Sequence, residues 1–162
     1  MSALLIAAAG AAIAAGRVFQ LKKDADTIET EVTGAIHSLK KDGFHIRLNV
    51  KLKNPSKSDF KFSFPFLKLV TSKGETIGTS QAASQSVELK AGAEKMLDPI
   101  MLTIPLKAIL TLGIEMLQAI KDGKAGLKLD AVTSSYAQLL FGTVRHKVEW
   151  HNEITLVKQA EK

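Results

Sequence analysis

The chain has 162 residues and no Cys. That length suits one compact domain with at most a short appendage, and it can bury roughly 70% of the unfolded surface without a disulfide or metal staple. The missing Cys excludes a disulfide scaffold, a Cys-ligated zinc or iron–sulfur centre, a thiol nucleophile and a lipid-modified Cys anchor. Net charge is +6, but only Arg17, Arg47 and Arg145 of the 22 basic residues are Arg. Arg is the usual residue for forked phosphate and base recognition, so a sequence-specific nucleic-acid reader is not expected. Weak attraction to anionic surfaces stays open.

Residues 1–16 carry no charged side chain and are mostly Ala, with Gly10 and Gly16. Arg17, Lys22 and Lys23 then form a basic flank. Three readings of this segment compete. A cleaved signal peptide would place basic residues before the apolar run, and here there are none. A spanning helix needs about 20 predominantly apolar residues, which the run reaches only by extending to Leu21 and burying or snorkelling Arg17. An assembly helix is the third reading: Ala8, Ala12 and Gly16 make a small-xxx-small row that lets backbones approach closely. Residues 1–23 are therefore expected to be an apolar helix that serves as an anchor or an assembly element. Residues 24–158 are expected to be the folded domain, and 159–162 a polar tail.

Strand periodicity dominates the rest of the chain. Ile28–Ile36 suits a strand better than a helix, because Thr and Val are common and Gly34 weakens a helix. Phe44, Ile46, Leu48, Val50 and Leu52 then alternate with His45, Arg47, Asn49, Lys51 and Lys53. This is the pattern of a strand with one wet face. Asn54-Pro55-Ser56 ends it, since Pro lacks an amide donor. Phe60, Phe62, Phe64 and Phe66 read as a continuing apolar ladder in the next segment. Further strands are expected at Ser86–Lys90, Ile100–Leu106, Leu127–Thr133 and Val144–Val157, with Lys73-Gly74 as a turn. Between Lys107 and Asp122 the period changes to that of one helix, stopped by Gly123. Its polar stripe is narrow, so the helix is expected to be buried or shared with a partner, with Ile109, Met116 and Ile120 as the candidate subunit contacts. About seven strands, one such helix and short turns predict a mainly β fold, an antiparallel β-sandwich.

The run Ile46-x-Leu48-x-Val50-x-Leu52-x-Asn54-Pro55-Ser56 resembles the first long strand of the late embryogenesis abundant group-two family, which overlaps the water-stress and hypersensitive-response (WHy) domain. The order of elements stays similar over about residues 27–157. The resemblance implies an immunoglobulin-like or fibronectin-like sandwich with one helix at its edge or end. It implies no catalytic residues, and an association with desiccation and stress protection. Short bacterial relatives often begin with an apolar helix followed by basic residues, and the first 23 residues look like that arrangement.

No phosphate-binding glycine loop and no G-x-S-x-G nucleophile elbow occurs. His146, Glu149, His151 and Glu153 lie close in sequence. On a strand, however, His146 and Trp150 share one face while Glu149, His151 and Glu153 share the other, so a metal would need ligands from elsewhere. No cofactor, metal or small-molecule substrate is expected. Trp150 and Tyr136 read as core or rim aromatics, not a stacking platform. The surface feature left is a basic face of His45, Arg47, Lys51, Lys53 and Lys61, against which stands an ordinary soluble or edge-strand face.

Two functions remain open on these grounds. One is a non-catalytic structural subunit that self-associates or joins other assembly subunits, a ring, neck or tail component of a phage particle being one version. The alternative is a membrane-anchored stress-protective protein, held through residues 1–21 in a bacterial cell.

Overall fold

The computed structural model describes residues 3–81, 85–139 and 142–158, with side chains from Ala15 onward. A helix, α1 (Ala3–Asp26), leads into a hairpin of β1 (Glu29–Lys40) and β2 (Gly43–Lys53). Short strands come next: β3 (Phe60–Ser63), β4 (Phe66–Val70), β5 (Thr76–Thr79), β6 (Ser86–Leu89), β7 (Glu94–Met96) and β8 (Ile100–Pro105). Two helices, α2 (Leu106–Leu110) and α3 (Ile114–Lys121), precede a long hairpin of β9 (Leu127–Leu139) and β10 (Val144–Leu156).

Two antiparallel sheets result, and the fold is mainly β. In the first sheet β2 pairs with β1 along its whole length, and with β8 and β7 in succession on its other side. In the second, β10 pairs with β9 throughout, and β9's other side is shared by β4 and β3, with β5 and β6 at the edges. One long hairpin thus forms the spine of each sheet, and short strands complete it. Alternation along β2 holds as the sequence predicts: Phe44, Ile46, Leu48, Val50 and Leu52 are all buried. Each such side chain contributes about 1.5–3 kcal/mol on burial. Trp150 stands opposite Thr133 in the β9–β10 register, and its ring meets Phe62 edge-on at 6.1 Å. The edges of the two sheets meet where Trp150 Nε1 donates to the Ile28 carbonyl at 2.8 Å and Ile36 N donates to the Val157 carbonyl at 2.9 Å.

Three expectations need correction. There are ten strands among the described residues rather than about seven. One reason is that the Phe ladder does not continue: Phe60 and Phe62 are buried, whereas Phe66 is exposed and Leu67 and Leu69 turn inward. Pro65 separates β3 from β4, and the side-chain parity shifts by one across the break. The short β7 is fully exposed and has no apolar alternation to reveal it. Finally, the expected single helix at Lys107–Asp122 is two helices. Gly113 adopts φ +92° as the residue before α3, and α2 ends at Leu110 with Thr111 following as its cap. A left-handed glycine ends one helical phase and starts another.

Candidate interaction surface

The last turns of α1 are locked onto the sandwich. Leu21, Ala25 and the adjoining Ile28 are buried in the main core. Ser58 Oγ donates to Asp24 Oδ2 at 2.8 Å, and His146 Nε2 lies 2.9 Å from Asp26 Oδ1. The helix is continuous across position 23, so the residues packed in the core and the apolar segment lie on one helix. Before Leu21 the helix leaves the sandwich. Ala15, Gly16, Arg17, Phe19 and Gln20 are exposed, Phe19 by 62%. Lys23 Nζ sits 4.7 Å over the Phe19 ring, an exposed cation–π contact. A Cβ added at Gly16 would meet nothing within 4 Å, so nothing among the described residues requires glycine there. The side chains of Ala8 and Ala12, the other members of that row, lie outside the described residues. Among the described residues no helix is long and apolar enough to cross a membrane.

The second apolar surface is on α2 and α3, but not where helical spacing put it. Ile109 and Ile120, expected to face partner subunits, are fully buried in the chain's own core. Met116 is 43% exposed, and the residues that join it outside are Leu106, Leu110 and Ile114, the last 81% exposed. The cause is the break at Gly113. A continuous helix places Ile109, Met116 and Ile120 on one face, whereas two helices with separate phases each turn one Ile inward. The signal in the sequence was Gly113 itself.

These two surfaces occupy opposite ends of the sandwich. α1 enters β1 at Glu29, which pairs with Lys53 at the end of β2. α2 leaves β8 at Pro105, which pairs with Gly43 at the start of β2.

The expected basic face is largely neutralised. His45 Nε2 lies 2.8 Å from Asp42 Oδ1, and that hydrogen bond holds the Asp42 carboxyl below its ordinary value. Lys51 Nζ lies 2.9 Å from Glu94 Oε2, and Lys53 Nζ is 3.8 Å from Glu94 Oε1. Hydrogen bonding within the pair raises Lys51 and lowers Glu94. Glu29 and Glu31 stand across from Lys53 and Lys51 in the β1–β2 register, so opposite charges alternate on this face. Arg47 stays exposed, opposite Ala35. Lys61 does not belong here at all. It lies on β3, in the other sheet, where it pairs with Glu88 and Gln138. Sequence parity cannot assign a strand to a sheet, which is why the face was drawn too wide.

His146 and His151 fall on opposite faces of β10, as its parity requires. His151 Nδ1 lies 3.0 Å from Asp130 Oδ2, and its Nε2 is 2.9 Å from Glu149 Oε1. With a carboxylate on each ring nitrogen the three groups form an ion-pair triad, and among the described residues no group of His, Asp and Glu is arranged to hold a metal. The hydrogen bonds to Asp130 and Glu149 raise the His151 pKa above its ordinary value.

Among proteins of known structure, the likeness is one of fold. A protein from Archaeoglobus fulgidus of known crystal structure superposes with a TM-score of 0.51 at 12% identity, over 83% of this chain and 100% of that one. The two share a fold. An Arabidopsis thaliana protein of known solution structure gives a TM-score of 0.49 at 14% identity, over 84% of this chain and 85% of that one. A solution structure described as a late embryogenesis abundant (LEA) protein gives 0.36 at 15% identity, over 94% and 88%. These last two superpose too loosely to carry an argument. No family model matches the chain, and no curated protein matches it.

Proposed function

We propose that the chain is a non-catalytic structural subunit that self-associates end to end through its two apolar poles. The observation that carries this reading is the cluster of exposed apolar side chains Leu106, Leu110, Ile114 and Met116 at the α2–α3 end; at the α1 end Phe19 is exposed singly, and Met96 and Met101 are exposed elsewhere on the sandwich. Exposed apolar residues scattered singly need no explanation, but clusters of this kind mark contact sites. Different surfaces at opposite ends favour heterologous, head-to-tail contacts, which close into rings or run on as filaments. The sandwich between them acts as a spacer, and its immunoglobulin-like or fibronectin-like assignment and its kinship to the late embryogenesis abundant group-two family belong to the same proposal. The 12% likeness to the archaeal structure supports that architecture and says nothing of activity.

The test is size-exclusion chromatography with light scattering on the full chain, without and then with detergent. A discrete soluble oligomer is expected. Phe19→Ser and Ile114→Ser should each reduce it to smaller species. Mixing the two variants should restore one-to-one dimers only, since each keeps one intact pole. A detergent-free monomer would refute the proposal. Aggregates that detergent resolves into monomers would replace it with the membrane-anchored protective reading.

A further inference from the structure

Two aromatic rings stand on the solvent face of the second sheet, where end-to-end association leaves them uncovered. Phe66 on β4 lies opposite Ser134 on β9, and Tyr136 is two residues further along β9. They point to the same side, as diagonal cross-strand neighbours with Cα atoms about 7–8 Å apart. Phe66 is 38% exposed and Tyr136 42%. Ser63 and Ser134 beside them are short, so the two rings stand above the sheet. Trp150, by contrast, is buried with its indole N–H bonded to Ile28. Local spacing hides the pair, because Phe66 reads as the last rung of a buried ladder until the break at Pro65 shifts its parity.

Cations surround the rings. Lys147 stands opposite Tyr136, and Arg145 opposite Gln138, in the β9–β10 register. Lys61 meets Gln138 from β3, and the half-buried Lys68 follows Phe66 on the same face of β4. The Arg145 guanidinium lies 4.5 Å from the centre of the Tyr136 ring. Two carboxylates share the area. Glu88 is opposite Lys61, and Glu149 is 3.9 Å from Lys147 and 2.9 Å from His151 Nε2. Asp130 and Glu153 lie beyond His151, toward the other end of the hairpin. Four cations against two carboxylates leave the region round the rings positive, whereas Glu29, Glu31 and Glu94 offset the lysines of β2 on the first sheet. Exposed rings within a positive surround match a polyanion that carries flat apolar groups along its length. Single-stranded nucleic acid has that chemistry, its bases stacking on aromatic side chains and its phosphates meeting Lys and Arg. A double helix keeps its bases stacked inside and does not offer their faces.

We propose that this face of the second sheet binds single-stranded nucleic acid without sequence preference. Two bases stack on Phe66 and Tyr136, the flanking phosphates meet Lys61, Lys68 and Lys147, and Arg145 exchanges its ring contact for a phosphate. The experiment is fluorescence anisotropy of a labelled oligothymidylate about twelve nucleotides long, titrated with the full chain at about 50 mM salt. Saturable binding is expected, with a Kd on the order of 10 μM. Duplex DNA of the same length and inorganic polyphosphate should each bind at least about tenfold more weakly. Phe66→Ala and Tyr136→Ala should each weaken binding by about 5- to 100-fold, while Tyr136→Phe keeps the stacking face and should stay within about twofold of the parent. The double variant Arg145→Glu with Lys147→Glu changes exposed charges only. It should unfold at the parent's temperature and bind at least about tenfold more weakly. Absence of saturable oligothymidylate binding would overturn the proposal, as would polyphosphate or duplex binding of equal strength. Unchanged binding in either alanine variant, or in the double variant, would overturn it too. Displacement of the oligonucleotide by cellohexaose, a neutral sugar chain, would overturn it in favour of a carbohydrate site.

Discussion

Asn54 Nδ2 donates to the Leu89 carbonyl at 3.2 Å, which ties the end of β2 to the end of β6 across 35 residues of chain. The same amide reaches the carbonyls of Ser58 at 2.7 Å and Lys90 at 3.2 Å, while Oδ1 accepts from Ser56 N at 3.0 Å and Ser56 Oγ at 2.7 Å. Asn54 is buried, so these bonds satisfy groups that water does not reach. The Asn-Pro pair on which the family resemblance rests is therefore a structural latch. Its amide organises the loop, and Pro55 keeps the strand from continuing.

Replacing Asn54 should test the latch directly. Asn54→Ala removes the amide from the buried Leu89 carbonyl and, with it, the bonds to Ser58, Lys90 and Ser56 that organise the loop, and should cost about 2–4 kcal/mol, lowering Tm by roughly 5–15 °C. Asn54→Asp should be worse near neutral pH, because it turns a carboxylate toward three carbonyls. It should recover in part on acidification as the carboxyl protonates. Thermal unfolding at two pH values reads both effects.

Glycine substitutions separate steric overlap from backbone strain. Gly43 has φ +139° at the start of β2, and a Cβ there would overlap the Ile104 carbonyl oxygen of β8. Gly43→Ala should cost more than about 4 kcal/mol, or prevent recovery of folded protein. Gly74 has φ +86° with nothing within 4 Å of a Cβ. Gly74→Ala should cost only about 1 kcal/mol, the penalty of the left-handed conformation alone. Denaturant unfolding of the two variants should rank them in that order.

Paired substitutions distinguish core from contact surface at each pole. Ile109 is fully buried and Ile114 is 81% exposed. Ile109→Ala should cost about 2–4 kcal/mol, while Ile114→Ser should stay within about 0.5 kcal/mol and act on self-association instead. At the other pole Leu21→Ala should destabilise by about 2 kcal/mol, and Phe19→Ser should change only the association state. Chemical denaturation beside light scattering reads the two properties independently.

His151 provides a pH dependence of defined sign. Hydrogen bonds to Asp130 and Glu149 raise its folded-state pKa above 6.5. The folded state thus holds the proton more tightly than the unfolded state does. The resulting stability is fully present below about pH 6.5 and is lost as pH rises through the folded-state value. The imidazole is largely exposed, so solvent screening keeps the effect small. Stability should therefore decline gently as pH rises above about 6.5 in the parent. His151→Gln should flatten that slope, and NMR titration of His151 should show the raised midpoint.

How much was legible in the sequence depends on the kind of signal. The strand at Phe44–Leu52 was readable residue by residue, because period-two alternation is a local consequence of one dry face and one wet face. The parity of β10, which separates Trp150 from His151, was readable for the same reason. Local patterns also excluded thiol chemistry, phosphate loops and nucleophile elbows. The phase of α2 and α3 was not readable from apolar spacing, since Ile109, Met116 and Ile120 suit one continuous face. Gly113 in a left-handed conformation splits that face, and packing then turns Ile109 and Ile120 inward.

By itself, then, the sequence determined a Cys-free, mainly β chain with alternating strands, because composition and periodicity are local properties. Which strand joins which sheet is decided by long-range pairing. Only the tertiary structure could place Lys61 away from Lys51, interleave Glu29, Glu31 and Glu94 with the lysines of β2, and carry Lys158 round to Ile36. Those relationships join residues far apart in the chain, and no local periodicity encodes them.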